Sequence, residues 1–136
     1  MEVSINWVAV LVAAVVNIVV GSLWYGPIFG RAWKHMMGIT DESMRNMRLS
    51  PMQAMVGGFI TAIVMAYVLA HFVVTNGAVG VKGALELSFW IWLGFMATVT
   101  AGSFLWENRP FKLFVLNAAQ QLVSLVLMAI VIVMMM

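Results

Sequence analysis

Four long apolar runs constrain this chain more than any other feature of its sequence. They cover residues 5–24, 52–74, 83–106 and 111–136. The hydrocarbon core of a bilayer requires about 20 helical residues, and none of the runs shows the sustained polar alternation of a barrel strand. The sequence therefore predicts an all-α integral membrane protein, with four transmembrane helices in an antiparallel bundle.

The composition agrees with a membrane environment. The chain has 136 residues, of which 64% are hydrophobic and 9% are charged, whereas a soluble domain carries roughly 25% charged residues. So short a chain cannot bury this much apolar surface in its own core. We therefore expect a single membrane domain, residues 1–136, whose main partner is the lipid bilayer.

Several classes of site are disfavoured by the residue types present. The chain has no cysteine, so it has no disulfide framework, no thiolate nucleophile and no cysteine-ligated metal. Its net charge of +2 comes from cations that border the apolar runs, which is typical of membrane proteins and predicts no nucleic-acid partner. No hydrolase, zinc-protease, P-loop or Rossmann motif occurs. We expect no enzymatic activity, no metal site and no cofactor.

The basic residues predict the orientation in the membrane. Only Lys82 lies between the second and third runs. On the opposite side, the first link carries Arg31, Lys34, Arg45 and Arg48, and Arg109 and Lys112 follow the third run. Cytoplasmic loops are enriched in Lys and Arg. The sequence therefore predicts a cytoplasmic loop at residues 25–51 and both termini outside the cytoplasm.

The three links differ in their predicted structure. In the first, Ile28, Phe29 and Trp33 alternate with Arg31 and Lys34 at near-helical spacing, which predicts an amphipathic helical loop lying in the membrane interface. We expect Gly38 to end its first helix, Thr40 or Asp41 to cap a second, and Pro51 to open the next span. The links at 75–82 and 107–110 are short, so we expect helices two and three, and three and four, to pack as hairpins.

Small residues mark the faces on which membrane helices pack closely. They recur at four-residue intervals in three helices, with Asn17 inside one of the series: Ala13, Asn17 and Gly21; Gly58, Ala62, Ala66 and Ala70; Gly94, Thr98 and Gly102. Because four helices enclose little interior, we expect a homo-oligomer, most simply a homodimer, with one such face between protomers.

Polar side chains gather on the fourth helix, at Asn117, Gln120, Gln121 and Ser124, and Asn17 lies in the first helix. An amide that faces lipid without a partner costs several kcal/mol, so these groups should face protein or water. They are interpreted either as an interhelical hydrogen-bond network or as the polar wall of a small-solute or ion path.

An ionisable pair is expected near the outer end of the bundle. His71 lies one turn before the end of the second helix and Glu86 about one turn into the third, so a hairpin would bring them to similar depth. An ionisable pair at membrane depth is a functional candidate. The alternative is two interfacial side chains, each hydrated by headgroup water.

Aromatic and charged residues cluster at the opposite, inner end. They are Trp24, Tyr25, Arg31, Trp106, Glu107 and Arg109. We interpret them as a structural clamp on the cytoplasmic loop rather than as chemistry. The sequence at 21–24 also resembles that at 102–106. One explanation is a pair of parallel two-helix repeats. The other is the ordinary composition of a helix that ends at the cytoplasmic face.

Four segments resemble a known family. They are Asn6-Trp7, LWYGPIFGRAW at 23–33, MAYVLAH at 65–71 and LWENRPFKL at 105–113, and they are similar to the bacterial membrane family called domain of unknown function 1761. The resemblance implies a four-helix topology and a location in the bacterial inner membrane. It supplies no substrate and no functional residue.

Three functions remain open at this stage. The first is movement of a small solute or ion along the polar face of helix four with Asn17. The second is a structural or accessory role in which the amides only join the helices. The third and weaker is a membrane-embedded enzyme or sensor that works through His71 and Glu86.

Overall fold

The computed structural model describes residues 4–136, and within that range the chain is helical, without strands. Four helices are long and apolar enough to cross a membrane: α1 (Trp7–Ile28), α4 (Pro51–Thr75), α5 (Gly80–Leu105) and α6 (Phe111–Met135). Two short helices, α2 (Gly30–Met37) and α3 (Asp41–Arg45), form the link between α1 and α4. The predicted all-α fold with four spanning helices is confirmed.

Local sequence signals explain where these helices begin and end. Gly38 adopts a left-handed conformation (φ 69°) after α2, which costs glycine no steric strain. Thr40 and Ser43 form a capping box that begins α3, and Ser50 and Gln53 form another that begins α4, with Pro51 in its first turn. These caps satisfy backbone N–H groups that have no partner inside the helix.

Asn6 closes the terminal end of the bundle, where α1 begins and α6 ends. Its side-chain oxygen accepts from the backbone N–H groups of Val8 and Ala9, at 3.0 and 3.3 Å. Its amide nitrogen donates to the carbonyl of Met135 at 2.8 Å. One side chain therefore caps α1 and joins it to the last turn of α6.

The packing order differs from the order of the helices in the chain. The main contacts join α1 to α6, α1 to α4, and α5 to α6. The core lies near the end with the termini and includes Val10, Ala66, Ala70, Met128 and Ile132. Helix α6 is therefore the centre of the bundle, with α1 on one side and α5 on the other.

The expected α5–α6 hairpin is present, but the expected α4–α5 hairpin is not. These two helices share no extensive contact, and an apolar groove of about 380 Å³ runs between them, lined by residues such as Val68, Phe72 and Met96. The physical reason is that Ala62, Ala66 and Ala70, which are fully buried, lie on the α4 side that packs on α1. The short link between α4 and α5 therefore does not determine which helix α4 packs against.

Most of the apolar surface stays on the outside of the bundle. Only 17% of the apolar window of α5 and 33% of that of α6 are buried. Each Å² of apolar surface left in water forgoes about 25 cal/mol, so lipid has to cover these helices. The chain is a multi-pass membrane protein, and α5 is its most peripheral helix.

Candidate functional site

The polar residues of α6 reach toward both neighbouring helices. The Ser124 hydroxyl donates to the side-chain oxygen of Asn17 in α1. The Thr100 hydroxyl of α5 donates to Gln121 Oε1 at 3.0 Å, and the Tyr25 hydroxyl of α1 donates to Asn117 Oδ1 at 2.6 Å. Three of the four polar side chains singled out on α6 are therefore used in hydrogen bonds between helices.

Two tryptophans also join α6 to its neighbours. The indole N–H of Trp24 donates to the carbonyl of Leu116 at 3.2 Å, and that of Trp92 donates to the carbonyl of Ala118 at 2.8 Å. Each of these tryptophans begins a π-helical stretch, Trp24–Ile28 in α1 and Trp92–Ala97 in α5. Such stretches are rare and frequently lie at functional sites.

Sequence reasoning did not single out Trp92 and missed this bond. The one local signal is the Trp-x-Gly pattern shared by Trp24-Tyr25-Gly26 and Trp92-Leu93-Gly94. Trp106, which the repeat hypothesis paired with Trp24, is 87% exposed. Trp106 is therefore not the structural counterpart of Trp24.

Gln120 is different from its neighbours on α6. No hydrogen bond joins its side chain to another residue within 4–136, and it lines an open cleft of about 670 Å³. A Cβ atom at Gly21 would lie 3.8 Å from Gln120 Nε2, at ordinary contact distance, so the amide of Gln120 lies beside Gly21 of α1. The cleft lies between α1, α4 and α6, with Trp33 of α2 at its edge.

The two walls of this cleft have different chemistry. The wall formed by α1 and α6 carries the polar side chains Asn17, Ser22, Tyr25 and Gln120. The wall formed by α4 is apolar apart from Thr61 and includes Met55 and Met65, with Gly58 between them. The Thr61 hydroxyl is already bonded to the Gly58 carbonyl at 2.8 Å, so hydrogen-bonding capacity is concentrated on one side.

The cleft runs along only part of the membrane thickness. On α4 it extends from Pro51 to Met65, which at 1.5 Å per residue is about 21 Å. Beyond Met65, Ala66 and Ala70 belong to the buried core with Val10 and Met128. The cleft is therefore open toward α2 and closed by side-chain packing toward the termini.

The expected contact between His71 and Glu86 is not formed. His71 packs edge-on against Tyr67 at 4.6 Å between ring centroids, and Tyr67 stacks on Trp7 at 5.1 Å. Glu86 instead lines a crevice with Lys82, from which His71 is absent. The contact was expected from an α4–α5 hairpin, and these two helices share no extensive contact.

The aromatic and charged residues at the α2 end are only partly brought together. Tyr25 packs on Trp33, with ring centroids 5.2 Å apart, and Arg109 Nη1 lies 3.5 Å from the carbonyl of Met37 at the end of α2. Arg31, Trp106 and Glu107 are exposed. The contact between the α5–α6 link and the α2 helix is therefore made by Arg109.

The cleft is suited to binding by hydrogen bonds and apolar contact. Its lining includes no Lys, Arg, His, Asp or Glu. Within the described residues, no group of three or more His, Cys, Asp or Glu side chains is placed to hold a metal ion. The functional groups that the cleft presents are amides and hydroxyls.

Comparison with known proteins identifies a family. Residues 8–133 match the family described as protein of unknown function (DUF1761), which confirms the resemblance seen in the sequence. No curated protein and no solved structure matches the chain significantly.

Proposed function

The chain belongs to the family of proteins of unknown function DUF1761, and on that premise we propose that it binds a small solute in the cleft between α1, α4 and α6 and moves it across the membrane. The observation that carries the proposal is the free amide of Gln120. This side chain belongs to a spanning helix and lies in an open cleft of about 670 Å³. An amide facing hydrocarbon without a partner costs several kcal/mol, so a polar occupant, water or solute, belongs there.

We propose that the cleft opens to the cytoplasm of a bacterial cell. The mouth of the cleft lies beside Trp33 of α2 and Pro51 at the start of α4. Both residues belong to the link that carries Arg31, Lys34, Arg45 and Arg48. Cytoplasmic loops are enriched in Lys and Arg. This orientation puts both termini outside the cytoplasm and the closed end of the cleft toward the outer leaflet.

We propose further that the protein works as a homodimer joined through α5. Gly94 and Thr98 of the small-residue series in that helix are exposed, and a Cβ atom at Gly94 would meet nothing within 4 Å. The alanines of the corresponding series in α4 are already buried. Small residues on an outward face allow the close approach of a second helix in lipid.

A structural or accessory role is the second candidate, and one observation favours it. Asn117, Gln121 and Ser124 are each hydrogen-bonded to a neighbouring helix, as expected if the polar face of α6 only joins the bundle. The two functions differ in whether a solute crosses the membrane through the cleft. The third function considered for the sequence required His71 beside Glu86, but His71 packs on Tyr67 and Glu86 lines a crevice with Lys82.

The proposal can be tested by solute flux into proteoliposomes. Gradients of glycerol, urea, butanamide and potassium chloride are applied to vesicles, and volume change is followed by stopped-flow light scattering. We expect the wild-type protein to accelerate entry of at least one solute over protein-free vesicles. Rates equal to those of protein-free vesicles for all four solutes would refute transport and favour the accessory role.

Two adjacent glycines supply a matched pair of variants for this assay. A Cβ atom at Gly58 would sit 3.9 Å from Ile18 Cδ1, in ordinary contact, and the rest of a leucine there would enter the cleft, whereas a Cβ atom at Gly57 would meet nothing within 4 Å. We expect Gly58→Leu to abolish the flux and Gly57→Leu to preserve it. Equal flux through both variants would show that the solute does not use this cleft.

A further inference from the structure

We infer that the ligand of the cleft is an uncharged amphipathic molecule, with a hydrogen-bonding head group on one side and an apolar body on the other. This inference rests on the proposed function, because it names the class of solute that the same cleft would take. It follows from three features of the lining: the lack of charge, the free amides and hydroxyls of one wall, and the apolar wall opposite them.

The lining of the cleft supplies no counter-charge. Its polar side chains are Asn17, Ser22, Tyr25, Thr61 and Gln120, in addition to the indole of Trp33, and its other residues are apolar. Arg31 and Lys34 flank Trp33 in the sequence but do not line the cleft. An ion moved from water to such a site loses hydration that no opposite charge replaces. A neutral molecule avoids that penalty.

The free groups on the polar wall are both donors and acceptors. Asn17 Oδ1 already accepts from Ser124, so its amide N–H groups remain for a ligand. The hydroxyl protons of Thr61 and Tyr25 are used within the protein, so their oxygens remain as acceptors. Gln120 keeps both its N–H groups and its carbonyl oxygen. A ligand head group that both donates and accepts, such as a primary amide, matches this wall.

The dimensions favour an elongated ligand. Asn17 and Tyr25 mark the ends of the polar wall on α1, and eight residues of helix span about 12 Å. The facing wall offers Met55 and Met65 on either side of Gly58. Methionine side chains are flexible and adapt to irregular apolar shapes. This wall is therefore suited to a hydrocarbon body lying along the helix.

Binding to the protein in lipid nanodiscs tests the inference with three probes. Octanamide, octanoate and octylammonium share one chain and differ at neutral pH in the charge of the head group. Saturable binding is measured by titration calorimetry, with nanodiscs of the Gly58→Leu variant as the reference for partitioning into lipid. We expect octanamide to bind, and the two ions to bind more weakly by roughly tenfold or more.

A change of charge in the cleft makes the test specific. Gln120→Glu places a carboxylate on the polar wall, so we expect its preference to move from octanamide to octylammonium. Gln53→Glu is the matched control, because Gln53 lies outside the cleft lining and glutamate also forms the capping box at this position. The control should keep the wild-type preference for octanamide.

The outcomes separate the inference from the proposed function. Three results would overturn the ligand class. The first is that the wild-type protein binds either ion as tightly as octanamide, and the second is that it shows no saturable octanamide binding. The third is that the Gln120→Glu variant still prefers octanamide to octylammonium. Wild-type flux together with any of these results leaves transport standing. Preferential binding of octanamide without flux has the opposite meaning: the ligand class stands and transport fails.

Discussion

Replacing Ser124 by alanine tests how α6 is held against α1 and whether the cleft is hydrated. Ser124 is only 3% exposed, and its hydroxyl donates to Asn17 across the helix pair. Hydrogen bonds between membrane helices average about 0.6 kcal/mol, with a maximum near 1.7 kcal/mol. Because Asn17 also lines the open cleft, water can replace the lost donor. We therefore expect Ser124→Ala to lower the free energy of unfolding by about 1 kcal/mol.

The assay is a double-mutant cycle of Ser124→Ala and Asn17→Leu, with unfolding followed in mixed micelles. The cycle isolates the pairwise coupling energy, which we expect to be roughly 0.6–1.7 kcal/mol. Thr75→Ala is the control, since the Thr75 side chain is exposed at the end of α4 and forms no hydrogen bond to another residue within 4–136. A coupling energy near zero would refute the hydrogen bond. A loss above about 3 kcal/mol for Ser124→Ala alone would mean that Asn17 is left without water, which contradicts a hydrated cleft.

Three further predictions concern other contacts of the bundle. Trp92→Phe removes the hydrogen bond to the Ala118 carbonyl and should lower the free energy of unfolding by about 1 kcal/mol. Trp90→Phe, at a 66% exposed position, should change it little. Equal effects of the two variants on unfolding in micelles would contradict the indole hydrogen bond. Asn6→Ala removes the cap of α1 and its hydrogen bond to α6. It should lower the free energy of unfolding in the same assay by about 1 kcal/mol. An unchanged unfolding midpoint would count against the cap. Gly94→Leu should convert a dimer to a monomer in detergent-corrected mass measurements, and a monomeric wild type would refute the proposed α5 interface.

The spanning helices could be predicted because their signals are local. Apolar runs of about 20 residues must be helical in lipid, and Gly38 and Pro51 mark helix boundaries by their own conformational preferences. The order of packing could not be predicted in this way. Whether α4 packs on α1 or on α5 depends on the fit of small residues such as Ala66 against another helix, and no single segment contains that information.

The candidate site shows the same division. The sequence singles out the polar face of α6, because amides are costly in lipid. It does not distinguish Gln120 from Gln121, which are adjacent but point about 100° apart around the helix. In the structure Gln121 bonds to Thr100 and Gln120 enters the cleft. The direction of each side chain matters only once the neighbours of α6 are known.

The central claim is that the Gln120 amide faces a hydrated cleft, which is open on the side of the basic link. Water accessibility at two positions of α6 tests this claim most directly. The chain contains no cysteine, so Gln120→Cys and Ser124→Cys each introduce a single thiol, and methanethiosulfonate reagents react with the thiolate that water allows to form. We predict that a membrane-impermeant reagent applied from the side of the basic link modifies the Gln120→Cys protein and leaves the Ser124→Cys protein, one helical turn away, unmodified. Protection of both thiols, or equal modification of both, would contradict the account.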